Sequence, residues 1–126
     1  MLLSTTLLLA MTLILGCSRS GDFGSFVVPQ LTKYGGHPEI TGITPKLEAH
    51  WTVQQDANGF TAHITHVSFS AVDGFMQQVY GAPNISIDTG LDGEQRRIWE
   101  AAEIGVGIEL IGHKNGTELI CVKGAR

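Results

Sequence analysis

The chain lacks the short motifs that usually mark an enzyme or a metal site. It has only two cysteines, and it contains neither a Cys-x-x-Cys nor a His-Glu-x-x-His pattern. The Gly-x-Ser-x-Gly elbow of acyl-transfer enzymes is missing as well, and Gly105-Val106-Gly107 lacks the third glycine of a dinucleotide-binding loop. The sequence therefore predicts no catalytic residue, no metal ligand and no cofactor.

Positive charge is also scarce. Lys and Arg number 8 against 12 Asp and Glu, which gives a net charge of −4 with histidine neutral. A surface of this charge repels phosphate groups, so nucleic acid and anionic lipid headgroups are not expected as electrostatic partners.

The 5 histidines are the remaining source of metal ligands. His63 and His66 are the closest pair, but residues three apart on a strand point to opposite faces of a sheet. His50 and His63 would share a face, yet the register predicted below separates them by four residues, or ~13 Å along the strand. We therefore expect surface histidines and no metal site.

What the chain does have is a distinctive beginning. Residues 1–16 carry no charge, are mostly apolar and end on Gly16. As a helix, residues 2–16 would reach roughly 22 Å, which is short of the ~30 Å hydrocarbon core. The segment is typical of a secretory signal peptide, with an uncleaved membrane anchor as the less favoured alternative.

The end of this segment, Ile14-Leu15-Gly16-Cys17, resembles the lipobox of bacterial lipoproteins. The resemblance implies cleavage between Gly16 and Cys17, lipidation of the Cys17 sulfur and attachment of acyl chains such as palmitate. It also implies a protein held at the cell envelope. Ser18 favours the periplasmic face of the outer membrane if the host is Gram-negative. An ordinary secretory leader, in which the Gly16-Cys17 pair is accidental, is the alternative.

Residues 17–46 are predicted to form a flexible tether, because this stretch is rich in glycine and contains Pro29, Pro38 and Pro45. A short apolar patch, Phe26-Val27-Val28, could add an edge strand or dock on the domain. Residues 47–126 are then expected to form a single small domain.

Asn58-Gly59 predicts a hairpin between residues 49–55 and 60–67. A two-residue turn would place Trp51 opposite His66. It would also gather the apolar side chains of both strands on one face.

Residues 69–80 are predicted to form a helix. Ser68 or Ser70 can cap its start, apolar residues recur at helical spacing, and Gly81 and Pro83 end it.

Residues 94–104 allow two interpretations. They either form part of a hairpin about Asp92-Gly93, with Ile87 opposite Ile98, or they form a helix. We favour the hairpin.

The last hairpin joins residues 105–112 and 117–123 about Asn115-Gly116. The predicted fold class is thus α+β: a small antiparallel sheet with one packed helix, in the order ββα followed by four strands. Cys121 falls on the apolar face of the last strand, so we expect a buried thiol.

Together these features predict a lipid-anchored envelope protein, not an enzyme, that acts as a small binding or structural module for an unknown envelope protein. The alternative is a small envelope hydrolase or a metal-binding protein. A cluster of His, Asp and Glu in the folded chain would favour the alternative. A flat apolar patch or an open sheet edge would favour the binding module.

Overall fold

A computed structural model of the chain describes residues 18–36, 38, 42–90, 93–101 and 105–123. Within these ranges the chain forms seven strands and two helices. In chain order they are β1 (Ser18–Asp22), α1 (Phe23–Lys33), β2 (Glu48–Gln55), β3 (Gly59–Thr65), α2 (Phe69–Tyr80), β4 (Ile85–Ile87), β5 (Gln95–Ala101), β6 (Val106–His113) and β7 (Gly116–Lys123). The predicted leader and Cys17 lie outside the described residues.

The strands form one sheet in the order β1-β2-β3-β7-β6-β5-β4, and all neighbouring strands are antiparallel. The prediction of an antiparallel sheet with packed helix is confirmed. The predicted order and the single helix are wrong, because β1 and α1 precede the elements that we expected. Neither described helix combines the length and hydrophobicity that crossing a membrane requires.

Both helices pack on the same face of the sheet. Phe23 of α1 meets Trp51 of β2 edge to face, with ring centroids 5.2 Å apart. From α2, Asp73 bonds Arg97 of β5, and Phe69 lies directly against Gly112 of β6. The buried core lies between this face and the helices. It contains Trp51, Phe60, Ala62, Ile64, Val72, Phe75, Met76, Val79, Trp99, Val106, Ile108, Leu110, Leu119 and Cys121, with Phe23, Val27 and Leu31 from α1.

Helix α2 has the predicted bounds, from Phe69 to Tyr80. Ser68 is the N-cap, since its hydroxyl oxygen accepts a hydrogen bond from the Ala71 amide at 3.1 Å. The helix ends at Gly81, where φ is 80°, a value that glycine adopts without strain.

The β2–β3 hairpin has the predicted faces but a different register. We expected Trp51 opposite His66, whereas Trp51 pairs with Ile64. The reason is that the turn uses four residues, 56–59, with the Asp56 carboxylate accepting hydrogen bonds from two amides of the turn. A shift of two residues leaves every side chain on its face, so the apolar set is still buried.

The β4–β5 hairpin also differs from the prediction by two residues. Strand β5 confirms the hairpin and excludes the helix over its length, but Ile98 pairs with Ile85 and not with Ile87. Asp88 lies beyond the end of β4, where its carboxylate accepts a hydrogen bond from Arg97 at 2.7 Å. Asp92, which we expected in the turn, lies outside the described residues. The β6–β7 hairpin buries the predicted face.

Helix α1 corrects the prediction of a flexible tether over residues 17–46. Residues 18–33 form β1 and α1. Phe23, Val27 and Leu31 are fully buried, so the folded domain includes residues well before Leu47. The apolar patch Phe26-Val27-Val28, which we expected to add an edge strand or to dock on the domain, lies inside this helix.

Two features of the sequence concealed α1. Pro29 lies inside the helix, where proline normally counts against one. The helix also depends on a distant contact, because the Asp22 carboxylate accepts hydrogen bonds from both the Gly24 amide and the Leu47 amide. The four-residue spacing of Phe23, Val27 and Leu31 was the available signal.

Candidate functional site

The sheet surface opposite the helices, called here the open face, is the candidate site. No element in the described ranges packs over it, and its side chains are exposed or half-buried. One row across it, from β1 to β4, consists of Ser18, Thr52, His63, Glu118, Ile111, Arg96 and Ile87. The row is polar from β1 to β7, and from β6 to β4 it alternates isoleucine with Arg96.

The polar end holds all four histidines that the structure describes. His50 and His63 lie on the open face of β2 and β3, opposite Thr65 and Thr52. The correct register places these two histidines two residues apart along the sheet, which removes the ~13 Å separation expected from the sequence.

His66 lies just beyond β3, so strand alternation does not decide where its ring points. Its φ is 64°, an uncommon value for a residue other than glycine. With this backbone conformation, the His66 ring stacks on the His50 ring, and the two ring centroids are 4.0 Å apart.

Three side chains form a cluster that could hold a metal ion, called here the His/Glu cluster: His63, His113 and Glu118. One ligand atom from each lies within 4.8 Å of the other two. His113 Nε2 is 3.1 Å from Glu118 Oε1, and the rings of His63 and His113 have centroids 6.1 Å apart.

The sequence could not predict this cluster. Glu118 is opposite His63 only because β3 pairs with β7, and nothing in either segment identifies that partner. His113 ends β6, two pairs from Glu118 along the β6–β7 hairpin. The alternation of side chains along each strand places His63, His113 and Glu118 on the polar side of their strands. This alternation was the one feature of the sequence that pointed to the cluster.

The apolar end of the open face is called here the isoleucine patch: Ile85, Ile87 and Ile98. Ile85 and Ile87 are 43% and 42% exposed. They belong to β4, the last strand of the described sheet. Arg96 lies between Ile87 and Ile111 on the open face and bonds Glu94 and Glu109 at 3.0 Å each.

Beneath the patch, Arg97 fixes β5 to α2. Its Nε donates to Asp73 at 3.1 Å and its Nη2 to Asp88 at 2.7 Å. Hydrogen bonding from Arg97 holds the pKa of the Asp88 carboxyl below its usual range. Arg97 is only 8% exposed, which identifies it as a structural residue of the helix-covered side.

Cys121 is a buried free thiol, as predicted. Burial raises its pKa to about 11, so it is protonated and unreactive at neutral pH. The predicted lipidation and cleavage residues, Cys17 and Gly16, lie outside the described residues.

No protein-family model, curated protein or solved structure matches the chain. The function must therefore be inferred from the site itself.

Proposed function

We propose that the protein is a lipid-anchored module of the cell envelope that binds a partner protein, without catalysis, through the open face of its sheet. The isoleucine patch carries this proposal. Two neighbouring apolar side chains that are more than 40% exposed on an edge strand are typical of a surface that a partner covers.

The position of the anchor supports the proposal. Cys17 directly precedes β1, with no tether between them. Strands β1 and β4 are at opposite ends of the described sheet. Six interstrand spacings separate them, or roughly 29 Å. A lipid on Cys17 therefore holds the β1 edge at the membrane and presents the isoleucine patch far from it.

The patch also defines the partner's chemistry. A strand added along β4 would continue the antiparallel ladder through main-chain hydrogen bonds. Its alternate side chains would cover Ile85 and Ile87, which face the same side. We therefore expect a partner that supplies an extended segment with apolar residues at every second position.

Site-specific photocrosslinking in growing cells tests the proposal. A photoreactive amino acid at Ile87 should give one discrete adduct with an envelope protein. The same amino acid at Gln77, which is exposed on α2, is the matched control and should give none.

A second substitution tests whether the adduct depends on the patch. Ile85→Asp should abolish the adduct from position 87 while leaving the melting temperature unchanged, since Ile85 is exposed. Equal adducts from positions 87 and 77, or an adduct that survives Ile85→Asp, would contradict partner binding at this surface.

The His/Glu cluster favours the alternative function, metal binding. It involves different residues and a different kind of ligand.

A further inference from the structure

We propose that His63, His113 and Glu118 bind one divalent transition-metal ion, with Zn²⁺ as the expected occupant. This site goes beyond the proposed function, and either can hold without the other.

The distances between the donor atoms are close to those of a zinc site. Tetrahedral Zn²⁺ with bonds of 2.0–2.1 Å holds its ligand atoms about 3.4 Å apart. His113 Nε2 and Glu118 Oε1 are already 3.1 Å apart. The third donor, on His63, lies within 4.8 Å of both. If rotation of the His63 side chain moved its donor nitrogen by about 1–1.5 Å, all three side chains could bind the same ion.

The backbone beneath the cluster belongs to paired strands of the sheet. Glu118 belongs to β7, the middle strand of the seven, with β3 and β6 on either side. His63 lies directly opposite Glu118. Because hydrogen-bonded strands hold the three Cα atoms, a metal would have to order only the side chains.

The ligand types select the class of metal. Two imidazole nitrogens and one carboxylate oxygen suit Zn²⁺, Ni²⁺ and Cu²⁺, whereas Mg²⁺ and Ca²⁺ prefer oxygen ligands alone. Three protein ligands leave the fourth position of a tetrahedral ion open to water.

The protonation of His113 gives a specific signature. The Asn115 amide donates to His113 Nδ1 at 3.3 Å, so in the metal-free protein Nδ1 is an acceptor and Nε2 carries the proton. A metal on Nε2 shifts the remaining proton to Nδ1, which must break this contact. We therefore expect the resonance of the Asn115 amide to shift when the metal binds, although Asn115 is not a metal ligand.

The test is zinc titration of the full chain in detergent by calorimetry, with Cys17→Ser in every sample so that its thiol cannot bind the metal. We expect one ion per chain. His63→Ala and Glu118→Gln should each weaken binding by more than about tenfold, since even residues that only support a metal ligand contribute 10–100-fold. His50→Ala, which changes an exposed histidine of the same face, is the matched control and should leave the affinity unchanged.

Amide resonances provide the second readout. Zn²⁺ should shift the Asn115 amide in the parent chain and should not shift it in Glu118→Gln. If the parent binds no zinc, or if His63→Ala and the parent bind it equally, the cluster is only a hydrogen bond between His113 and Glu118 and the site is refuted. Cross-linking at position 87 is measured separately, so this outcome leaves the proposed function intact.

Discussion

Arg97 joins helix α2 to strand β5 through its hydrogen bond to Asp73. Its guanidinium bonds two carboxylates and the backbone carbonyls of Ile87 and Arg96. It also lies 5.2 Å above the Phe69 ring. No other arginine in the described ranges is as buried.

Arg97→Met should lower the free energy of unfolding by about 2–3 kcal/mol, because a half-buried Asp73 loses a charged hydrogen-bond partner. Arg96→Met is the matched control. Its ion pairs are more accessible to water than the pair between Arg97 and Asp73, so the cost should stay below about 1 kcal/mol. Urea unfolding of both variants measures the difference, and equal costs would contradict the role given to Arg97.

Cys121 should be inert in the folded protein. With its pKa raised to about 11 by burial, the thiol should react slowly with a maleimide and quickly in denaturant. Cys121→Ser should cost about 1–3 kcal/mol, since a hydroxyl is placed in an apolar site, and Cys121→Ala should cost less. Rapid labelling of the native chain would show that the thiol is exposed.

At the scale of elements, α1 depends on Asp22. Its carboxylate accepts hydrogen bonds from the Leu47 amide, the Ser25 hydroxyl and the Gly24 amide. The hydrogen bond from the Leu47 amide is the main reason why the pKa of Asp22 is below its usual value.

Asp22→Ala should therefore cost about 1 kcal/mol at neutral pH through the lost cap. Because the folded pKa is depressed, this stabilisation is full above the ordinary Asp value of 3.8 and is lost as the pH falls below it. Asp22→Asn keeps an acceptor without the charge, so its unfolding free energy should depend less on pH in acid. Parallel pH profiles for wild type and Asp22→Asn would contradict the assignment.

Helix α1 also determines where the chain can be shortened. Full burial of each of Phe23, Val27 and Leu31 contributes about 1.5–3 kcal/mol, and together they approach the whole stability of a small domain. A chain beginning at Leu47 should be molten, whereas one beginning at Ser18 should melt cooperatively. Cooperative melting of the shorter chain would restore the domain boundary expected from the sequence.

Local sequence signals predicted the elements that are stabilised by residues close together in the sequence. The cap at Ser68, the apolar stripe of α2 and the glycine at 81 lie close together, so the helix could be bounded correctly. Helix α1 and the β4–β5 hairpin involve contacts such as Asp22 with Leu47 and Asp88 with Arg97. These link residues 25 and 9 positions apart, which no periodicity records.

At the scale of the molecule, the candidate site follows from topology. The chain forms a β2–β3 hairpin and later inserts β7 beside β3, which brings Glu118 to His63 across 55 positions of sequence. Faces could be predicted from alternation, but the strand order could not, because many orders bury the same apolar residues.

The same topology separates the edge that carries the proposed lipid from the isoleucine patch, so the anchor is central to the proposed function. Mass spectrometry of the amino-terminal peptide, from protein made in a bacterial host, tests it most directly. We predict a peptide that begins at Cys17 and carries the added mass of a diacylglyceryl group. A peptide beginning at another residue, or a Cys17 with a free thiol, would contradict the lipid anchor and with it the proposed placement of the β1 edge at the membrane.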